Sequence, residues 1–447
     1  GNEDVLDLAR TLRKQAFDWN THFAEFAYPE KITRDQLGLH THVVNNAMAM
    51  KTSAVYWQIS GDEDDRGAAD TLLETLDRHH GQANGVHSGD EHYAGLDPSQ
   101  GTELCAVVEG MFSLEQLTAI YGDPALGDRL ERITFNALPA TFKPDMWAHQ
   151  YDQQVNQVMC SIDENRNWTS NGPESNIFGL EPNFGCCTAN MHQGWPKFVA
   201  HMWMATRDEG LAAVAYGPSR VDARVRGGVS VAIVEETEYP FQDTIRLRVY
   251  PAAPTTFPLH LRIPAWAEGA TVAVAGEAFP GVHPGSFYEI EREWRAGDTV
   301  DIVFPMKLVS ERHWRDSVAL RRGPIVFSMK IGEEWRKVGG EEPHADWEVH
   351  PTTPWNYGLV VDPEAPMSSM TVEERPLGNM PFSPEGAPLV LQAKARRIPG
   401  WALVNGSAGS LPQSPVSSAE PVETITLIPY GSTNLRLTVF PLVSLDE

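Results

Sequence analysis

Three of the four cysteines in this 447-residue chain fall in two short clusters. Cys105 stands two residues after Glu103, and the adjacent pair Cys186-Cys187 follows about eighty residues later. Zinc takes roughly four ligands in a tetrahedron, chiefly thiolate, imidazole and carboxylate, so one Glu and three Cys make a complete shell. A closed shell is the mark of a structural metal. Yet a thiolate is also a nucleophile, and three of them in one small volume stay deprotonated only beside a cation. Two plainer readings stand next to this one. Cysteines are among the residues most often buried for packing alone, and a disulfide between neighbours, though strained, uses the same pair. The spacing matches no short zinc-finger repeat, so the fold has to bring the halves together.

The elements that would do so change character near residue 208. Before it, apolar residues recur at the 3.6-residue period over roughly 4–27, 41–59, 65–79, 102–121, 124–141 and 187–205, which predicts six helices. Asp123 and Pro124 form an N-cap and first-turn pair between two of them. Two stretches rich in Gly, Asn, Asp, Gln, Ser and Pro, 80–101 and 143–185, interrupt the helices, and loops of that length inside a compact domain usually carry function. After 208 the period becomes two, as in VSVAIVEE from Val229, TIRLRVY from Thr244 and LHLRIP from Leu259. That predicts an antiparallel β-sandwich over 208–312. A further β segment from Ser317 to the strands after Glu423 predicts a second sandwich over 313–447.

Composition removes several classes of function. Thirty-five Lys and Arg against 60 Asp and Glu give a net charge of −25, which repels phosphate backbones and anionic membrane surfaces. No apolar run reaches the roughly 18 residues of a membrane-spanning helix. Nucleic acid and membrane are therefore not expected partners. The chain opens on Gly1, so any leader could have been removed. Compartment stays open between a reducing cytoplasm, which suits free thiols, and a periplasmic or secreted setting in which zinc protects them.

The Glu-x-Cys of Glu103 and Cys105, the Cys-Cys-x-x-Asn of Cys186, Cys187 and Asn190, LRIPAW from Leu261 and RRGPIVF from Arg321 resemble glycoside hydrolase family 127, the β-L-arabinofuranosidases. The similarity runs through nearly the whole chain. It implies an (α/α)6-type helical barrel followed by two antiparallel β-sandwich domains, and Zn2+ held by Glu103, Cys105, Cys186 and Cys187. It further implies a retaining glycosidase that removes L-arabinofuranose or a similar sugar from plant-type glycans. Cys186 falls on the family's nucleophile, and Glu91, in SGDEHYAG, on its acid/base, with Asp90 as the fallback. His42, Glu131 of a Glu-Arg-x-x-x-Asn motif, and Tyr151 fall on residues that face the sugar. In such a site Cys186 replaces the attacking carboxylate of most retaining enzymes, and zinc keeps its sulfur ionised. Glu91 is expected to be protonated at rest, as partial burial favours, and then to activate water.

Each assignment has a plainer counterpart. Glu91 and Asp90 could be a surface carboxylate pair; Glu131 could pair with a nearby base on its helix face; His42 could be a helix-start histidine. Tyr151 could belong to a polar loop, and Trp147, Trp168 and Trp195 to cores rather than sugar platforms. Cys160 is read as buried or spare. The chain also has Cys-Cys-Thr-Ala-Asn and Gln193 where the family often has Cys-Cys-Pro-Pro-Asn and an Arg. Six helices make only the second half of a twelve-helix barrel, so the reading expects a C-terminal part of a longer protein or a degenerate barrel. Twelve helices within 1–207 would overturn it. The second functional class is a catalytically inactive, zinc-containing carbohydrate-binding or interaction protein. The expected partner is an oligosaccharide or glycoside, with a homodimer through a β domain as a further expectation.

Overall fold

The structure is a computed structural model that describes residues 2–444 except 167, 169, 181–184 and 369. Several of these, 167, 169 and 181–184, fall in the second expected loop. The helical region comes first, with α1 Glu3–Gln15, α2 Trp19–Ala24, α3 Val43–Ala49, α4 Thr52–Ser60, α5 Glu63–His80, α6 Leu104–Tyr121, α7 Pro124–Arg132 and α8 Gly185–His201. Eight helices are thus present among the described residues, where periodicity predicted six and a complete (α/α)6 barrel needs twelve. The extra two come from breaks inside predicted helices. Asp18 accepts from Thr21 N and starts α2, which splits 4–27. Lys51 separates α3 from α4 within 41–59.

The helix predicted over 124–141 also ends early, and Asp123 caps it as expected by accepting from Ala125 N. After Arg132 the backbone relaxes into a π-type turn, Ile133–Ala137, in which Leu138 N bonds Ile133 O. Pro139 has no N–H to continue the ladder, and the Thr134 hydroxyl and Asn136 amide bond back to the carbonyls of Leu130 and Arg132. No helix among the described residues is long and apolar enough to cross a membrane.

The first β region is the expected sandwich. A six-stranded sheet runs in the order Glu277–Phe279, Thr271–Val274, Asp298–Val303, Thr244–Pro251, Val229–Thr237, Ser219–Val225. Its four-stranded partner is Ser286–Trp294, Thr255–Ile263, Leu211–Ala213, Trp203–Ala205, so the sandwich takes in residues that periodicity assigned to the last helix. One pairing, Leu211–Ala213 with Thr255–Ile263, is parallel. Alternate residues Ile245, Leu247 and Val249 join Leu259, Leu261 and Ile263 in a closed core.

The second β region is also antiparallel, as expected. It is one eight-stranded sheet, beginning at Leu308–Arg312, with two short two-stranded ribbons. The helical region's polar loop meets its strands and ribbons. Asn156 accepts from Thr438 N and Val439 N, Gln157 bonds Asn434 O, and Cys160 pairs with Val349. Buried Arg436 reaches Gln154 O and Ala140 O. Cys160 is fully buried, as expected.

Candidate active site and metal centre

Two helix N-termini converge on the cysteines. Glu103 ends the short strand β1, Gly101–Glu103, and occupies the N-cap of α6, but its carboxylate does not cap the helix. Cys105 lies in the first turn of α6, and Cys186 and Cys187 in the first turn of α8. The α6 and α8 dipoles both favour negative charge there. Gly194 of α8 packs against Leu138, whose Cδ1 would lie 2.9 Å from a Cβ there. One ligand atom from each of Glu103, Cys105, Cys186 and Cys187 lies within 4.8 Å of all the others, and Cys105 Sγ is 3.3 Å from Cys187 Sγ. The cysteines are free thiols, not a disulfide. Tetrahedral bonds of about 2.3 Å from sulfur to a metal demand sulfurs roughly 3.8 Å apart, which this cluster accommodates.

The protonation pattern shows why a cation fits. Cys186 accepts from the thiols of Cys105 and Cys187, which draws it down to about 3. Cys105 is pushed up by its bond to Cys186, and Cys187 by burial. Glu103 is also raised, first by burial and then by the Cys186 charge, and its Oε2 is buried with no hydrogen-bond partner among the described residues. Alone, the four groups hold one negative charge; a divalent cation is what would let all four ionise. Cys186 is the exposed member, whereas Cys105, Cys187 and Glu103 are buried.

A second set of residues orders these ligands. Leu104 N donates to Tyr151 O at 2.9 Å, and the Tyr151 side chain hydrogen-bonds Glu103. The strand β2, Asp152–Gln154, pairs with β1 so that Asp152 faces Glu103. Asn190 Nδ2 donates to Cys105 Sγ and to Cys186 O, both at 3.2 Å, and Gln193 in turn holds Asn190 Oδ1 at 3.4 Å. The His149 ring bonds Thr188, between the cysteine pair and Asn190.

Glu91 sits in a left-handed conformation, φ 93°, which costs a non-glycine residue energy and recurs at functional sites. Its half-exposed carboxylate has His42 Nε2 at 3.7 Å and accepts from Ser170 Oγ at 3.3 Å. The bond with His42 holds its pKa below the ordinary glutamate value, against a smaller effect of burial. This reverses the expectation of a protonated resting acid. His42 is the N-cap residue of α3, so the helix-start reading describes its position and the contact with Glu91 its side chain. Asp90, the fallback, is fully buried, with Lys31 Nζ 3.8 Å away.

Glu131 does not face this site. It is fully buried in α7, where Arg262 Nη2 meets it at 2.6 Å, Tyr216 N at 2.8 Å and the Tyr239 hydroxyl at 2.5 Å, all from the sandwich. The rest of its motif acts alike. Arg132 pairs with Glu311, which also binds Arg321, and Asn136 bonds Pro324 O and Val326 N. The structure thus places Glu131 at the junction between regions, away from the cysteine cluster where the sequence reading sets it. Arg262 belongs to LRIPAW, and Arg321 and Pro324 to RRGPIVF, so three of the sequence signatures interlock.

Sequence reasoning missed Asp152, Asn171 and Lys31. Asp152 is fully buried, accepts from Asn171 at 2.6 Å, and is pushed strongly up by burial and by Asp90. Lys31 donates to Gln100 at 2.6 Å beside Asp90. A solvated face and a buried charge look alike in a single sequence; only the adjacency of Asp152 to Tyr151 offered a hint. Trp168 is buried, Trp195 packs on Phe198 and Phe382, and Trp147 is exposed.

A helical region followed by β regions is a fold shared with glycoside hydrolases of known structure. The chain aligns with a glycoside hydrolase at 17% identity and TM-score 0.69, covering 94% of this chain and 70% of that one. It aligns with a GH127 β-L-arabinofuranosidase from Geobacillus stearothermophilus T6 at 21% identity and TM-score 0.63, and with another GH127 β-arabinofuranosidase at 18% and 0.64. Each of those two alignments covers 90% of this chain and 60% of the other, so the chain spans well under the full length of those neighbours. Comparison with curated protein sequences finds no match. Residues 1–200 match the catalytic domain of the GH127 β-L-arabinofuranosidases, and residues 210–306 match their middle domain. The chain belongs to the GH127 family.

Proposed function

We propose that this chain is a retaining glycosidase that removes L-arabinofuranose or a similar sugar from plant-type glycans, with Cys186 as nucleophile and Glu91 as acid/base. The observation that carries the reading is the exposure of one sulfur, Cys186, from a cluster otherwise buried, with both it and Glu91 within electrostatic reach of Glu103.

The Cys186 thiolate attacks the anomeric carbon as the glycosidic C–O bond breaks, and Glu91 gives its proton to the departing oxygen. Glu91, now a carboxylate, takes a proton from water; the water oxygen bonds the anomeric carbon, and the C–S bond breaks to restore the thiolate. His42 sets the proton balance of Glu91, and a sugar that excludes water and engages His42 raises Glu91 to the protonated form. Glu103, Cys105 and Cys187 would hold Zn2+ together with Cys186, and Tyr151 and Asn190 orient Glu103 and Cys105. Zinc, when bound, neutralises the cluster and keeps its sulfurs deprotonated.

The test is turnover of a panel of aryl furanosides and pyranosides, with zinc counted per chain. Cys186→Ala should lose at least about 10³-fold in kcat, and Glu91→Gln about 10²-fold or more on substrates with poor leaving groups. An active Cys186→Ala protein sinks the thiolate mechanism. A folded, zinc-loaded wild type that turns over no glycoside favours a binding protein instead.

A further inference from the structure

A groove of about 890 Å3 lies where α5 and α7 meet both β regions, and neither the cysteines nor Glu91 line it. It runs into a second hollow of about 240 Å3, and Gln82, Arg312 and His313 line both. Together they exceed the roughly 300–1,000 Å3 of a typical small-molecule site, which suits an extended ligand. Trp266 lines the first hollow and Trp314 the second. Each indole packs on the core while staying partly exposed.

The lining carries unspent hydrogen-bond capacity. Gln82 Nε2, Arg129 Nε and His313 Nε2 have no hydrogen-bond partner among the described residues, and Gln82 is only 8% exposed. The terminal nitrogens of Arg129 are committed to Asp77, at 2.7 and 2.8 Å, which leaves its Nε free. Two of these three are obligate donors buried in the wall of the groove, so a ligand that reaches them must bring acceptor oxygens. It is not a polyanion site, because Asp70, Glu74 and Asp123 line it along with Arg132, Arg312 and Arg321. A neutral polyol answers both kinds of group at once: its hydroxyls accept from the nitrogens, donate to the carboxylates, and leave apolar C–H faces for the indoles.

We propose that this groove is a second carbohydrate-binding site, which takes a neutral oligosaccharide chain apart from the residues that cleave it. The site itself is argued from the groove; its service to hydrolysis rests on the glycosidase reading. The experiment titrates the full chain with neutral arabino- and xylo-oligosaccharides of about three to six sugars by calorimetry, with aryl arabinofuranoside hydrolysis measured in parallel. Trp266→Ala/Trp314→Ala should weaken oligosaccharide binding at least about tenfold, and Arg312→Ala on the exposed rim about threefold, with aryl glycoside kcat/KM unchanged in both. Because both indoles also pack on the core, Trp266→Phe/Trp314→Phe is the control for folding and should bind within about threefold of wild type. No binding by wild type at about 10 mM oligosaccharide, or unaltered binding by the Ala double variant, overturns the proposal. Tryptophan-dependent binding without any aryl glycoside turnover leaves the groove standing and removes the glycosidase reading.

Discussion

Glu131→Gln separates the two roles open to this glutamate. In the structure its two oxygens accept from Tyr216 N and the Tyr239 hydroxyl, Arg262 Nη2 lies 2.6 Å away as an ion-pair partner, and both members of the Glu131–Arg262 pair are fully buried. Glutamine keeps the shape but replaces one acceptor with an N–H2 that faces donors, and removes one of the two charges that neutralise Arg262. Breaking a buried pair from one side costs about 3–5 kcal/mol. Arg262 keeps Asp128 and Val214 O, so the lower part of that range, roughly 3 kcal/mol, is expected. At about 2–4 °C per kcal/mol for a unit of this size, the first thermal transition should fall by roughly 6–12 °C. Calorimetry and near-UV dichroism should be read together, since three packed regions need not unfold in one step. Adding Arg262→Met, which removes the stranded charge, should recover part of the loss, so the double variant falls short of the two single losses combined. KM for an aryl glycoside should not change while the protein is folded. A melting temperature within about 1 °C of wild type, together with a several-fold rise in KM, would refute the anchor and return Glu131 to the sugar.

Two further outcomes follow from the same geometry. Asn190→Ala removes the amide that donates to Cys105 Sγ, and metal affinity, measured by competition with a chromophoric chelator, should drop about 10- to 100-fold, while Asn190→Asp should fare no better for want of the donor; an unaltered affinity would remove Asn190 from the ligand-ordering set. Burial works to raise the Glu311 carboxyl, but Arg132 and Arg321 overcome it and hold it at about 2. A depressed carboxyl contributes stability that is present above its unfolded value near 4.3 and is lost as pH falls toward 2, so acid unfolding of wild type should steepen in that window and Glu311→Gln should flatten it. Parallel acid curves for the two proteins would contradict the assignment.

What could be read from the residues divides by range. The cysteine cluster was legible only in part: ligand chemistry left a zinc set of Glu103, Cys105, Cys186 and Cys187 level with plain packing, the resemblance to GH127 favoured the set, and the fold brings the four together. The helix-to-strand change near 208 was legible because periodicity is local. Helix breaks were less so: Asp18 and Lys51 interrupt patterns whose apolar spacing continues across them. The junction of the second β region was not legible. Alternation reports that strands have a buried face but not what they meet, and here Asn156, Gln157 and Arg436 join the region to a loop of the helical region. The rest state of Glu91 was invisible as well, since it depends on a histidine 49 positions away coming within 3.7 Å.

The anchors give the distant β regions a part in the chemistry. Tyr151 and Asp152 order Glu103 only while the loop that carries them keeps its register on β1. That loop has no helix of its own among the described residues, and its backbone is held from Ala140 to Val155 by buried Arg436 and Thr438, nearly three hundred residues downstream. On the opposite flank, Glu131, Arg132 and Asn136 tie α7 and the π-type turn to Arg262, Glu311 and Val326. These polar ties add rigidity to the described helical region where it meets the β regions. Buried networks of this kind hold one arrangement when fully satisfied and lose it steeply when a partner is removed. Arg262 of LRIPAW and Arg321 of RRGPIVF then bear on the site from a distance, because the ion pairs they join fix the surface against which its loops are set.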